Sequence, residues 1–128
     1  MRIDETIADH WNTNVGSLTL GTNLFSGPPK KVDALTVFVW DNGGPPPMAL
    51  LSDRARRFPR VDIRILSPQS DYKAGADFKD TLFKATHQQD IGTFMDVRSQ
   101  EPVYIGENDS GQHEWSMPTQ VTPLSYVF

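Results

Sequence analysis

Ala34-Leu35-Thr36-Val37-Phe38-Val39-Trp40 is the stretch on which the fold turns. It is rich in β-branched and aromatic residues and carries no charge, which predicts a strand covered on both faces in the middle of a sheet. Directly after it, Asp41-Asn42-Gly43-Gly44-Pro45-Pro46-Pro47 stops regular structure. Glycine admits dihedrals closed to other residues, and consecutive prolines lack donors and favour polyproline II. A long loop over residues 43–60 follows, longer than ordinary connections inside a compact domain, and loops of that length are usually functional or disordered. Beyond the loop, Val61, Ile63 and Ile65 alternate with Asp62 and Arg64. That two-residue period predicts a strand with one buried face.

Working back from the central strand, Leu18-Thr19-Leu20 and Asn23-Leu24-Phe25 read as strands broken by Gly21 and stopped by Gly27-Pro28-Pro29. Before them, Ile3, Ile7 and Trp11 recur every fourth position, a short amphipathic helix closed by Asn12-Thr13-Asn14 and Gly16. Working forward, Ala74, Phe78, Leu82 and Ala85 form the apolar stripe of a second helix, widened by Tyr72 and Phe83. Ser67-Pro68 and Ser70-Asp71 are alternative starts for it, and His87 near its end favours the helix C-terminus if protonated. Three extended segments complete the chain: Ile91 to Arg98, Val103 to Glu107, and His113 to Phe128 interrupted by Pro118 and Pro123. A hairpin turn at Asn108-Asp109-Ser110-Gly111 joins the last two. The plan is α+β, a mostly antiparallel sheet packed with two helices. No internal repeat or linker divides the 128 residues, so one domain is expected. Val121, Leu124, Tyr126, Val127 and Phe128 make the C-terminal segment too apolar for a loose tail, and it is expected to fold back or to bind a neighbour.

A net charge of −4 and a pI near 5.2 argue against a surface that grips nucleic acid throughout. With no cysteine there are no disulfides, thiolate metal sites or thiol nucleophiles, which is compatible with assembly in a reducing cytoplasm. The N-terminus is an acidic amphipathic stretch unlike a signal peptide, and the apolar runs are too short to span a bilayer.

Catalytic chemistry finds little footing. The three histidines, His10, His87 and His113, fall on different elements with no partner at metal-ligand spacing. Asp41-Asn42-Gly43-Gly44 lacks the calcium-loop and phosphate-loop patterns and reads as a turn. No Gly-x-Ser-x-Gly elbow occurs, and no carboxylate pair stands out as acid and base. No catalytic residue, cofactor or metal is therefore expected. The one conspicuous charge cluster is Arg54, Arg56, Arg57, Arg60 and Arg64, set against Asp53 and Asp62. A solvated loop and strand face is the plain reading; contact with phosphate or with an acidic partner is the sharper one. Only Phe58 is interleaved, which does not suggest base stacking.

In its order of elements and local signatures the chain resembles the tail terminator and minor capsid proteins of long-tailed bacteriophages. The likeness rests on the N-terminal helix, Leu20-Gly21-Thr22-Asn23-Leu24-Phe25, the strand ending in Asp41 before Gly43-Gly44-Pro45-Pro46, Val61-Asp62-Ile63-Arg64-Ile65, and Asp71-Tyr72 opening a helix. It covers most of residues 1–88. The resemblance implies a non-enzymatic subunit of a homohexameric ring at the head-tail junction of a virion, assembled in the host cytoplasm. Such a ring stops polymerisation of the tail tube and offers its other face to the head-side connector or head-closure protein. Genomic DNA would pass through without specific binding, and no membrane is involved. Other readings are a head-closure or adaptor protein, a tail tube subunit and, from another class, a small enzyme. The residues expected at partner interfaces are Pro45, Pro46, Pro47, Arg54, Arg56, Arg57, Arg60, Tyr126 and Phe128.

Overall fold

The computed structural model describes residues 2–30, 32, 34–43, 48–49, 55–56, 59–92, 94 and 96–122, with backbone alone at 48–49 and 55–56. Among these the order is helix α1 (Ile3–Asn14), strands β1 (Leu24–Ser26), β2 (Thr36–Asp41), β3 (Met48–Ala49), β4 (Ala55–Arg56) and β5 (Arg60–Ser67), helix α2 (Tyr72–Lys84), then β6 (Asp96–Ser99), β7 (Val103–Glu107), β8 (His113–Ser116) and β9 (Thr119–Thr122). The fold is α+β with a mostly antiparallel sheet, as the pattern predicts.

β2 lies between β1, which it pairs in parallel, and β5, which it pairs antiparallel from Thr36↔Leu66 to Asp41↔Val61. Thr36, Val37, Phe38 and Val39 are all buried, so both faces of this strand are covered. On the other side β5 is flanked by β8 and β9 in one continuous register, Ser67↔His113 through Arg60↔Gln120. Pro118, which has no N–H to give, interrupts the ladder between them. Met117 N–H still reaches the Ile63 carbonyl at 2.9 Å. β7 and β6 line up outside β8 and β9 respectively, with a bulge between Tyr104 and Gly106, where Gly106 takes a φ of +110°.

Both helices pack on the face formed by Val37, Val39, Val61, Ile63, Ile65, Trp115, Met117 and Val121, where Ile7 and Trp11 of α1 meet Phe78 and Leu82 of α2. Trp11 Nε1–H donates to the Thr86 hydroxyl at 2.9 Å, and that hydroxyl donates to the Leu82 carbonyl at 2.7 Å, so a buried polar pair ties the two helices. α2 lies close over β8 because Gly75 has no Cβ to strike the Trp115 ring. Its N-cap is Asp71, whose carboxylate accepts the Ala74 N–H at 3.2 Å, rather than either serine.

Two further expectations are corrected. Leu18–Leu20 is not a strand apart from an isolated Leu20↔Leu24 bridge. The segment is a turn stitched by asparagines: Asn23 accepts the Thr19 N–H at 2.7 Å and donates to the Ser17 carbonyl at 2.7 Å, and Asn12 accepts the Leu20 N–H at 2.9 Å. Ile91 lies outside any strand and pairing begins at Asp96; Ile91 is fully buried as a plug rather than as a strand residue. Within the long loop, β3 and β4 pair antiparallel, Met48↔Arg56 and Ala49↔Ala55.

Candidate functional site

The sheet face away from the helices carries the polar chemistry. Arg60, Gln120 and Arg98 are register partners on β5, β9 and β6, so they form one row across three strands. This row bounds a concavity of about 490 Å³ completed by Ser99, Gln100, Pro118 and Thr119. The buried Ser99 and Thr119 hydroxyls pair at 2.6 Å. Arg98 Nε sits 2.6 Å from the Asp96 carboxylate. The lining offers hydrogen-bond donors and positive charge but no carboxylate, histidine or nucleophile placed for acid-base or covalent chemistry. Among the described residues there is no group of three or more His, Asp or Glu side chains that could hold a metal ion.

The arginine cluster seen in the sequence divides here. Arg60 is exposed, and its backbone is tied to the start of the long loop through Asn42 N–H to Arg60 O at 2.8 Å and Arg60 N–H to Gly43 O at 3.0 Å. Arg64 is instead held within the fold, 3.3 Å from Glu114 and 5.9 Å from the Trp40 ring centroid. Arg56 belongs to β4, with backbone alone described. Pro45, Pro46, Pro47, Arg54, Arg57, Tyr126 and Phe128 lie outside the described residues.

His87 and His113 are tied into the fold. His87 Nδ1 accepts the Ser99 N–H at 3.0 Å, and its ring stacks on Phe83 at 5.1 Å. His113 is buried, with Nε2 3.2 Å from the Gln69 carbonyl and Nδ1 2.9 Å from the Tyr104 hydroxyl. A carbonyl only accepts, so Nε2 carries the proton and Tyr104 donates to Nδ1. Partial desolvation raises the Tyr104 hydroxyl above the ordinary tyrosine range, and Glu107 and Tyr72 push the same way.

Around this hydrogen bond Tyr72, Tyr104, His113 and Trp115 form one aromatic cluster, with Tyr72 centroids 5.2–5.3 Å from the other three. Tyr72 and Tyr104 remain 47% and 40% exposed, and beside them on β7 Val103 and Ile105 are 58% and 49% exposed. Sequence reasoning missed this patch and Arg98. Arg98 carried a usable signal, its alternation with the buried Val97 and Ser99. The patch is assembled across α2, β7 and β8 and has no linear signature.

No protein-family model matches this chain, and no curated protein does either. Among solved structures the fold is similar to a chain described as the virion of a native gene transfer agent particle. The TM-score is 0.69 at 9% identity, over 94% of this chain and 92% of that one. At that identity the likeness establishes the shared fold.

Proposed function

We propose that this chain is a structural, non-enzymatic protein of a virion, and more narrowly the ring-forming tail terminator at the head-tail junction. The observation that carries the reading is the fold shared along nearly the whole of both chains with a component of a gene transfer agent virion. The order of elements in the sequence independently resembles tail terminators. In this reading six copies close a ring, one side caps the tail tube protein and the other meets the head-side connector or head-closure protein. A closed ring of one chain needs two different complementary side surfaces.

The arginines are better suited to a protein partner than to DNA. The chain carries a net −4, so exposed Arg60, beside an Arg98 already paired with Asp96, is a local reversal of sign that attracts an acidic surface. A channel lining that neutralised many phosphates would bind DNA strongly at low salt, roughly 0.9 in the log-log salt slope per phosphate, and would hinder its exit. DNA therefore passes without specific binding.

The test is to delete the gene and measure the tails by electron microscopy. Loss of a terminator leaves tails that overrun their normal length. Tails of normal length beside detached filled heads would assign the chain to head closure or an adaptor instead, and absence of tails would assign it to the tube.

A further inference from the structure

Two residues that follow α2 are bonded to the side of β6 away from β9. Gln88 N–H donates to the Val97 carbonyl at 2.7 Å, and Ser99 N–H donates to Nδ1 of His87 at 3.0 Å. Val97 and Ser99 stand two apart on one strand, so these backbone groups point the same way. The imidazole therefore occupies the place where a ladder would put a carbonyl oxygen. Gln88 takes a φ of +54° in this connection, a conformation uncommon outside glycine that the surrounding bonds must hold.

A backbone N–H only donates, so Nδ1 is bare and the neutral ring carries its proton on Nε2. A carbonyl in that place would accept at any pH, whereas an imidazole nitrogen accepts only until it is protonated. Protonation sets N–H against N–H and leaves the donor of Ser99, a residue only 9% exposed, without an acceptor. His113 differs, because the Tyr104 hydroxyl on its Nδ1 can turn and accept instead. The backbone of Ser99 has no such freedom.

The other surroundings of His87 accommodate a cation. It lies just beyond α2, whose last carbonyls favour positive charge, and its ring stacks on Phe83 at 5.1 Å and 11°. Phe83 of α2, Ser99 of β6 and its register partner Thr119 of β9 are uncharged, and α1 meets the preceding Thr86 through Trp11. The charges closest in sequence, Lys84 and Asp90, are exposed. Asp96 and Arg98 alternate onto the opposite face of β6 from Ser99 and pair with each other. Among the described residues no ion pair engages His87.

We propose that His87 is an acid-released latch: the neutral ring fastens β6 to the end of α2, and protonation of Nδ1 unfastens it. β6 carries Arg98, so acid loosens one end of the arginine row while the pairing of β2 with β5 is kept. The latch is a property of the single chain and does not depend on the ring.

Amide exchange of the full chain tests it, followed by mass spectrometry from about pH 8 to about pH 5, across the ordinary imidazole range, with intrinsic rates corrected for pH. Protection at Ser99 should fall roughly tenfold or more, the scale of a lost buried hydrogen bond, while protection in β2 is unchanged. His87→Asn puts a carbonyl oxygen near the position of Nδ1 and cannot titrate, so its Ser99 protection should stay level. Equal acid losses in wild type and His87→Asn, or no loss in wild type, would overturn the latch. Nitrogen NMR spectra of the wild-type ring need no variant. They should show Nδ1 bare at about pH 8 and a Ser99 amide resonance that moves as the ring titrates. A ring protonated on Nδ1 at that pH, or a Ser99 amide indifferent to the titration, would refute the latch as well.

Discussion

Gly75→Ala separates close packing from helix propensity, because the two act in opposite directions there. In the interior of a helix this change ordinarily stabilises by about 1 kcal/mol. A Cβ at residue 75 would stand 2.2 Å from Cζ3 and 2.5 Å from Cη2 of Trp115, and 3.0 Å from the Ser67 hydroxyl. Carbon contacts settle near 3.5–4.0 Å, so the overlap exceeds about 1 Å. Trp115 has no room to withdraw, being 1% exposed and held between Tyr72 and Tyr104 at 5.3 and 5.2 Å. Overpacking of a tight core costs about 1–3 kcal/mol. This close overlap belongs at the upper end, so a net destabilisation of about 1–2 kcal/mol is expected, a fall in Tm of roughly 3–8 °C. Urea denaturation followed by tryptophan fluorescence, at one fixed protein concentration, measures it. Trp115→Phe removes the benzo ring that carries the clashing atoms, so adding it to Gly75→Ala should cost less than the two single effects combined, by about 1 kcal/mol or more. A Gly75→Ala chain that is more stable than wild type, or a double variant that is simply additive, would refute the packing of α2 on β8.

Further expectations concern the helix tie, the arginine row and the tyrosine. Thr86→Val keeps the shape but leaves the buried Trp11 N–H without its acceptor, and should cost about 1–3 kcal/mol by the same urea assay. Arg60→Glu with Arg98→Glu should shift stability by less than about 1 kcal/mol, since the Arg98–Asp96 pair is solvent-facing, while abolishing head-tail joining in a complementation assay. The Tyr104 hydroxyl, raised above 10.0 in the folded chain, holds its proton more tightly than when unfolded. Its contribution is therefore whole below pH 10 and is lost as pH rises through the folded value. Tyr104→Phe should flatten that alkaline loss in urea midpoints taken between about pH 7 and 11.

What could be read from the sequence was set by short-range pattern. Ala34–Trp40 announced β2 by its uncharged run of β-branched and aromatic residues, and Ile7–Trp11 and Phe78–Leu82 announced the helices by their spacing. The same reading failed at Leu18–Leu20, where asparagine side chains bond the backbone and outcompete a ladder that the apolar pattern alone would favour. It also failed at Ile91, whose burial comes from tertiary position without a strand around it. Neighbours in sequence misled about charge. Arg60 and Arg64 share a face of β5, yet Glu114 and Trp40 hold Arg64 in while Arg60 stays exposed. The partner of Arg60 in the row, Arg98, lies far along the chain and meets it only through the registers of β9. The aromatic patch shows the same limit, since Tyr72, Tyr104 and His113 converge only once α2 crosses β8 and β7.

The central claim, a ring of this chain at the head-tail junction, is tested most directly by cryo-electron microscopy of intact particles focused on that junction. The account predicts a closed ring between the tail tube and the head-side connector into which copies of this fold dock. Particles in which the fold docks only in the repeating layers of the tube, or nowhere at the junction, would contradict it.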